Sequence, residues 1–540
     1  MHRTFRAVTP LRRHPYLHGW HTLWALVACT AVALPWLTPW SSGPIPNAIP
    51  WLISMGAALV GVAAYRAWVQ TAPIAATQAT DALARAPRYL FTAWAVAALV
   101  SSALALVQYF GLSAALSPWV NFSHAGEAFG NLRQRNQFAS LSSIGLVAAL
   151  YLAAQTIPSA HLGRTRRLRA LLLCSTIVLL AMGNAASASR TGALQWLMVA
   201  ALAGLLPSSN RRARLVWGMG ALIAYGAAAL VLPTLLHTAT GVVSPGLLGR
   251  FVEPPGCESR SVLWANVLEL IAQKPITGWG WGELKFAHFT HHYTGTRFCA
   301  ILDNAHNLPL QLAVELGLPA ASAVCAVLGW LVWRGKPWNE ADPARQAAWA
   351  VLAIIGLHSL LEYPLWYGPF QVAVGLCIWL LCRPRQTAPN AGQSAALYSL
   401  LALGLAALAY TAWDYTRVSQ LYRAPAKRLE MFRTDTLEKA RASWLFVQEV
   451  QFAEVTTTAL TGATAPRLHV LARHLLHFSP EPRVLKLLLD SAEILDLDNE
   501  ELRHDEAQFR QAYPQEYTRW CQFLSAKSAS SPLKHCASSY

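Results

Sequence analysis

The sequence predicts an all-α polytopic membrane protein of about eleven spans, with a large outer loop and a helical C-terminal region. Three observations predict it. The chain is 54% hydrophobic and only 13% charged, where soluble domains carry about 25% charged residues. Apolar runs near the length of a membrane crossing recur through the first 415 positions. Asp and Glu are almost absent before Glu127, and a large share of the 27 acids lies after residue 416.

A helix needs about 20 apolar residues to cross the hydrocarbon core. Runs of that kind lie at 20–40, 49–68, 90–110, 137–157, 169–185, 191–207, 214–236, 308–333, 346–363, 365–382 and 396–415. The sixth is short, and only the Tyr363-Pro364 break parts the ninth from the tenth, so the count lies between ten and thirteen. Arg3, Arg6, Arg12 and Arg13 precede the first run, which lacks a small-residue cleavage site and reads as a span, not a signal peptide.

Positive charge sets the orientation. With a cytoplasmic N-terminus, the inner segments hold Arg66, Arg85 and Arg88; Arg164, Arg166, Arg167 and Arg169; Arg211, Arg212 and Arg214; Arg334, Lys336 and Arg345; and Arg383 and Arg385. The opposite loops at 41–48 and 364–365 contain no Lys or Arg. The expected organisation is a cytoplasmic N-terminus (1–19), spans one to seven (20–236), a large periplasmic loop (237–307), spans eight to eleven (308–415) and a periplasmic C-terminal region (416–540). The net charge of +16 suits nucleic acid in principle, but its clustering between apolar runs assigns it to topology.

The C-terminal region shows apolar residues at helical spacing over 436–458, 464–478 and 482–496, punctuated by prolines. Tetratricopeptide-like hairpins fit, without a clean 34-residue repeat. The Ser- and Ala-rich tail from Ser525 reads as mobile. Cys257 and Cys299 share the outer loop, where an oxidising periplasm permits a disulfide, and Cys521 and Cys536 can pair similarly. No Cys or His spacing suggests a metal site.

Polar residues gather at the outer ends of the spans. Gly130 to Gln137 opens the fourth, Ser187 to Gly192 joins the fifth and sixth, and Asp303 to Asn307 leads into the eighth. His358 with Glu362-Tyr363-Pro364 ends the ninth. Arg133, Arg135, Arg190 and Arg260 stand on the face from which Lys and Arg are normally excluded. One such arginine is most simply paired with a loop carboxylate such as Glu253 or Glu258; the set reads as an anion site, since guanidinium pairs with phosphate in fork geometry. His306 is the sharpest candidate for a general base. A structural hydrogen-bonder is the plainer alternative, and His288, His291 and His292 share its loop. The run Lys274 to Gly282, with its Gly-Trp-Gly-Trp-Gly core, reads as a tight turn before it reads as a phosphate cradle.

These motifs, in order, resemble a known family. Gln134-Arg135-Asn136-Gln137, Ser189-Arg190-Thr191-Gly192, Arg260 four residues before Trp264, Pro275 through Gly282, His306-Asn307 with Leu310-Gln311 and Glu315-Leu316-Gly317, and Glu362-Tyr363-Pro364-Leu365-Trp366 resemble the bacterial PglL-type protein O-oligosaccharyltransferases. Those belong with the O-antigen ligases and polymerases of the Wzy/WaaL superfamily. The resemblance covers about residues 120 to 380, and the helical C-terminal region fits the extra domain of PglL-type enzymes.

The resemblance implies transfer without metal or cofactor from an undecaprenyl-pyrophosphate-linked oligosaccharide to a periplasmic acceptor protein, pilin-like or other, at the inner membrane. Carried onto this chain, it makes His306 the base and gives Arg190 and Arg260 the pyrophosphate. Gln134, Gln137, Asn307, Glu362 and Tyr363 become substrate-binding positions. Arg135 departs from the small or Pro residue of the family pattern and is a third candidate phosphate ligand. A ligase or polymerase with a glycan acceptor is the nearest alternative, and a transporter or flippase a more distant one. Transporters place ionisable groups near the midplane, whereas these spans are nearly free of internal charge.

Overall fold

The computed structural model describes residues 15–41, 43–70, 76–156, 163–208, 210–247, 249, 256–382, 391–527 and 536. The expectations resting on Arg3, Arg6, Arg12, Arg13, Arg383, Arg385, Glu253 and the tail beyond Lys527, Cys536 apart, lie outside those residues.

Each expected span is a helix: α1 (Pro15–Leu37), α2 (Ala48–Gln70), α3 (Ala76–Tyr109), α4 (Arg135–Thr156), α5 (Gly163–Ala186), α6 (Arg190–Leu205), α7 (Arg211–Thr240), α10 (Leu308–Gly335), α11 (Pro343–Ser359), α12 (Gly368–Cys382) and α13 (Ala391–Ser419). Between α7 and α10 lie α8 (Arg260–Gln273) and α9 (Leu284–Thr290). No strand occurs among the described residues. Eight of the eleven are long and apolar enough to cross a membrane. The exceptions, α6, α11 and α12, have 16, 17 and 15 residues. Local chemistry shifts α11 toward the N-terminus relative to the 346–363 run. Asp342 caps its first turn by accepting from the Ala344 N–H at 2.8 Å, with Pro343 at the first helical position, and the helix stops ahead of Tyr363-Pro364.

α4 is the centre of the bundle, packed on α3, α5, α6 and α11, while α13 lies outermost on α2. Its interior includes polar residues. The Gln195 amide of α6 donates to Ser140 Oγ at 2.7 Å, Ser140 bonds His358 Nδ1 at 2.9 Å, and Ser143 donates to Gln195 Oε1 at 3.1 Å. Such bonds join helices where no water competes. At one end of the bundle Arg214 donates to Gln346 at 3.0 Å and Arg66 to Ser394 at 2.7 Å. The motifs gather at the other.

Helix α10 is broken where it meets the loop before α9. Gly317 adopts φ +83°, and a Cβ there would sit 2.0 Å from Ile276 O; a Cβ on Gly278, at φ +68°, would sit 2.4 Å from Glu315 O. Only glycine permits either approach. The break frees carbonyls that the loop then satisfies: the Trp279 N–H donates to Val314 O at 2.8 Å and that of Gly280 to Glu315 O at 3.0 Å. The Leu318 N–H donates in turn to Pro275 O at 2.7 Å.

The C-terminal region is helical: α14 (Thr436–Arg441), α15 (Val447–Thr457), α16 (Ala465–Phe478), α17 (Pro482–Ile494), α18 (Glu500–Ala512) and α19 (Pro514–Lys527). Helices α15 to α19 pack consecutively around Leu468, Leu475, Leu485, Leu488 and Phe509. Phe289 of α9 is buried in that same core, which ties the outer loop to this region. The stretch 436–458 is two helices. Asp414, buried at the end of α13, accepts the Trp444 and Leu445 N–H groups at 3.2 and 2.9 Å and holds the chain open between them. Helix α19 includes the first residues of the tail that begins at Ser525.

Candidate active site

Glu362 is the hub of the motif-bearing end. It stands past the end of α11 and is only 5% exposed. Its Oε2 accepts from Gln134 Nε2 at 2.8 Å, Asn136 Nδ2 at 3.2 Å and Arg260 Nη2 at 3.3 Å, and its Oε1 meets His306 Nδ1. A buried carboxylate is costly unless paired. Burial works to raise the Glu362 pKa, but the hydrogen bond with His306 and the nearby Arg260 charge outweigh it and hold the carboxyl below its usual range.

The same cluster gathers helix N-termini, whose amides and dipoles favour negative charge. Gln134 Oε1 accepts the Gln137 N–H at 2.8 Å and so caps α4. Ser189 caps α6 by accepting from Gly192 at 3.0 Å while donating to Asn136 Oδ1 at 2.7 Å. Ser259 caps α8, and Asn307 caps α10 by accepting from Leu310 at 3.0 Å. Arg190 and Arg260 thus occupy the same local position, the first residue after a capping serine. Arg260 touches the hub, and its side chain is 31% exposed. Arg190 is exposed on the neighbouring helix start. A guanidinium carries five N–H donors, so its contact with Glu362 leaves Arg260 donors for an anion.

His306 is held in the left-handed region at φ +50°, which costs a non-glycine residue on the order of 1–3 kcal/mol. Its surroundings impose that backbone. The His306 N–H donates to Asn304 Oδ1 at 2.8 Å, the Ala305 N–H to Gln311 Oε1 at 2.6 Å, and Trp264 Nε1 to Ala305 O at 3.0 Å. The Asn307 amide donates to Leu360 O at 2.9 Å, which pins this turn to the loop carrying Glu362. The Tyr363 ring stands nearly perpendicular to the imidazole, centroids 5.0 Å apart, and stacks on Tyr367 at 5.9 Å. A carboxylate only accepts, so the shared proton lies on Nδ1, and Nε2 keeps the lone pair able to take a proton.

The other loop histidines differ. His288 is buried, with Nδ1 on the Tyr293 hydroxyl at 2.8 Å and Nε2 on Phe298 O at 3.1 Å. Burial and the nearby Arg297 charge push its pKa down to about 3, so it is a neutral structural residue. His291 pairs with Glu269 at 3.0 Å. No group of three metal-ligating side chains occurs among the described residues.

Of the residues singled out in the sequence, Gln134, Arg260, His306, Asn307, Glu362 and Tyr363 come together. Arg190 adjoins them through Ser189, and Gln137 lies one turn into α4. Arg135 turns aside to Glu127 at 2.8 Å, and Arg133 to the Ser41 hydroxyl. The glycine-rich run is a turn: its Trp279 and Gly280 amides are spent on α10, and the Gly282 N–H donates to Glu315 Oε1 at 2.9 Å. Cys257 is bonded to Cys299, and Cys521 to Cys536. Sequence reasoning gave no role to Asn136, Ser189, Asn304 or Gln311. Ser189 carried a local signal, a serine just ahead of a helix; Asn136 and Gln311 carried none, because their partners are distant or backbone groups.

Three family models match successive parts of the chain: a protein glycosylation ligase over residues 128–153, an O-antigen ligase over 175–325 and the C-terminal part of a virulence factor membrane-bound polymerase over 346–527. The chain is also similar to a general O-oligosaccharyltransferase of Acinetobacter baylyi, 26% identical over 349 residues. These matches make the chain similar to protein glycosylation ligases and O-antigen ligases. That similarity spans 62% of this chain and 56% of the curated relative. No solved structure matches. The hub draws on all three matched segments: Gln134 on the first, Arg260 and His306 on the second, Glu362 on the third.

Proposed function

We propose that this chain transfers a glycan from an undecaprenyl-pyrophosphate-linked donor to a Ser or Thr hydroxyl of a periplasmic acceptor protein, pilin-like or other, at the outer face of the inner membrane. The observation that carries the reading is the His306–Glu362 pair seated among helix N-termini with Arg260. Glu362 orients the imidazole and stabilises its protonated form, as a carboxylate does behind a catalytic histidine. His306 Nε2 takes the acceptor hydroxyl's proton as that oxygen attacks the anomeric carbon. The bond from that carbon to the pyrophosphate oxygen breaks, and undecaprenyl pyrophosphate leaves with the electron pair. Arg260 and Arg190 stabilise the charge that develops on it. General-base assistance of this kind is worth about 10²–10⁴ in rate.

Direct displacement inverts the anomeric centre, in contrast to a mechanism with a carboxylate nucleophile. The test is transfer by the purified full chain in nanodiscs, offered lipid-linked glycan with either a pilin-like protein or lipid A-core. The product linkage is assigned by NMR. Inverted linkage on a protein hydroxyl is expected. A retained configuration contradicts the displacement. Transfer to lipid A-core alone moves the chain to the ligase reading, which the O-antigen ligase match over 175–325 favours.

A further inference from the structure

A cavity of about 250 Å³ opens beside the Glu362 cluster, between the α1–α2 connection, the start of α4 and Tyr367. It shares Gln134 with the hub, and its Tyr367 wall stacks on Tyr363. Two buried polar atoms on its wall have no hydrogen-bond partner: Thr38 Oγ1, on a residue 7% exposed, and Gln137 Nε2, on a residue 1% exposed. Such orphans are rare in native interiors, and each calls for an explanation. The neighbouring Asn131 amide is spent, its nitrogen donating to Leu37 O at 2.7 Å and Trp119 O at 2.9 Å. The half-exposed Trp40 ring forms another wall. Among the described residues no carboxylate lines the space, and Arg133 is the one formal charge.

A hydroxyl, an amide donor and two aromatic rings around a small space, with Arg133 turned to the Ser41 hydroxyl, complement a neutral ring that carries hydroxyls on its rim and C–H groups on its faces. The volume falls below the roughly 300–1,000 Å³ of pockets for drug-sized ligands, so it accommodates one ring and not a chain of them. We propose that this cavity binds one sugar ring of the donor glycan and so reads glycan identity. The proposal rests on the transfer reading above and adds a specificity site to it. Thr38 and Gln137 hydrogen-bond the sugar hydroxyls, and Trp40 and Tyr367 pack against its faces.

The test measures binding, not turnover. The full chain in nanodiscs is titrated, by thermophoresis, with undecaprenyl-pyrophosphate-linked glycan and with undecaprenyl pyrophosphate lacking sugar. Thr38→Val and Trp40→Ala should each weaken the glycan-bearing lipid about 5–20-fold while leaving the bare lipid within about two-fold. Trp40→Phe, which keeps a stacking face, should restore most of the loss. Equal losses for both lipids, no loss for either, or weakened acceptor protein with unchanged glycan lipid would each overturn the sugar site. A chain that binds glycan through the cavity yet transfers nothing sinks the transfer reading and leaves this one standing. Transfer with unaffected binding in both variants does the reverse.

Discussion

Glu362 and Glu454 are both buried carboxylates, 5% and 3% exposed, that collect basic partners, Glu362 from as far as 102 positions away and Glu454 from 13 on either side. Glu454 of α15 is closed on itself. Arg441 donates to it through Nη2 at 2.7 Å and Nε at 3.2 Å, and Arg467 through Nε at 2.6 Å and Nη2 at 3.3 Å. Every partner is permanently charged, and none can accept a proton. Glu362 gathers amides, one guanidinium contact and an imidazole on a strained backbone. Burial and ion pairing therefore do not separate a clamp from a site. The kind of partner does, together with the backbone strain invested in holding it.

That contrast breaks most easily at Glu362. Glu362→Gln keeps the shape but removes the charge behind His306, so transfer should fall about 10²–10³-fold, with a melting temperature close to that of the parent chain. A mutant that loses its fold along with its activity would make Glu362 a second Glu454. The reciprocal change, Glu454→Gln, leaves two guanidinium groups without their carboxylate. It should lower the stability of the C-terminal region by about 1–3 kcal/mol while transfer per folded molecule stays near that of the parent; calorimetry read beside transfer rates checks both. A large loss of turnover in that variant would erase the distinction.

Acid gives the smallest effect. Burial works to raise the Glu454 pKa, but the hydrogen bonds and charges of Arg441 and Arg467 hold it below the ordinary value of 4.5. A depressed carboxyl contributes stability that is fully present above its unfolded pKa and lost as pH falls through the folded one. The melting-temperature gap between the parent and Glu454→Gln should therefore stay constant from pH 7 to about 5 and shrink below about 4. A gap that persists at pH 3 would mean packing, not charge, holds α14 to α16 together.

Much of the fold was legible because it rests on local pattern. Length and apolarity reveal each of the eleven bundle helices, eight of them long enough to cross a membrane. The ends were less legible. Asp342-Pro343 starts α11 earlier than its apolar run, and the Asp414 carboxylate divides α14 from α15 across 30 residues of sequence. The site was legible as a set of motifs and not as a geometry. Glu253 and Glu258 were the near partners for a misplaced arginine, yet Arg260 pairs with Glu362, 102 positions away. Likewise nothing near Gln134 announces a carboxylate 228 positions on.

On the proposed mechanism, Glu362 holds His306 as the proton acceptor for transfer. The most direct measurement is the single-turnover rate of His306→Ala in the purified full chain, with saturating lipid-linked glycan and acceptor protein. The expected fall is about 10²–10⁴-fold with the fold and donor binding intact; a rate within a few-fold of the parent chain would rule His306 out as the base.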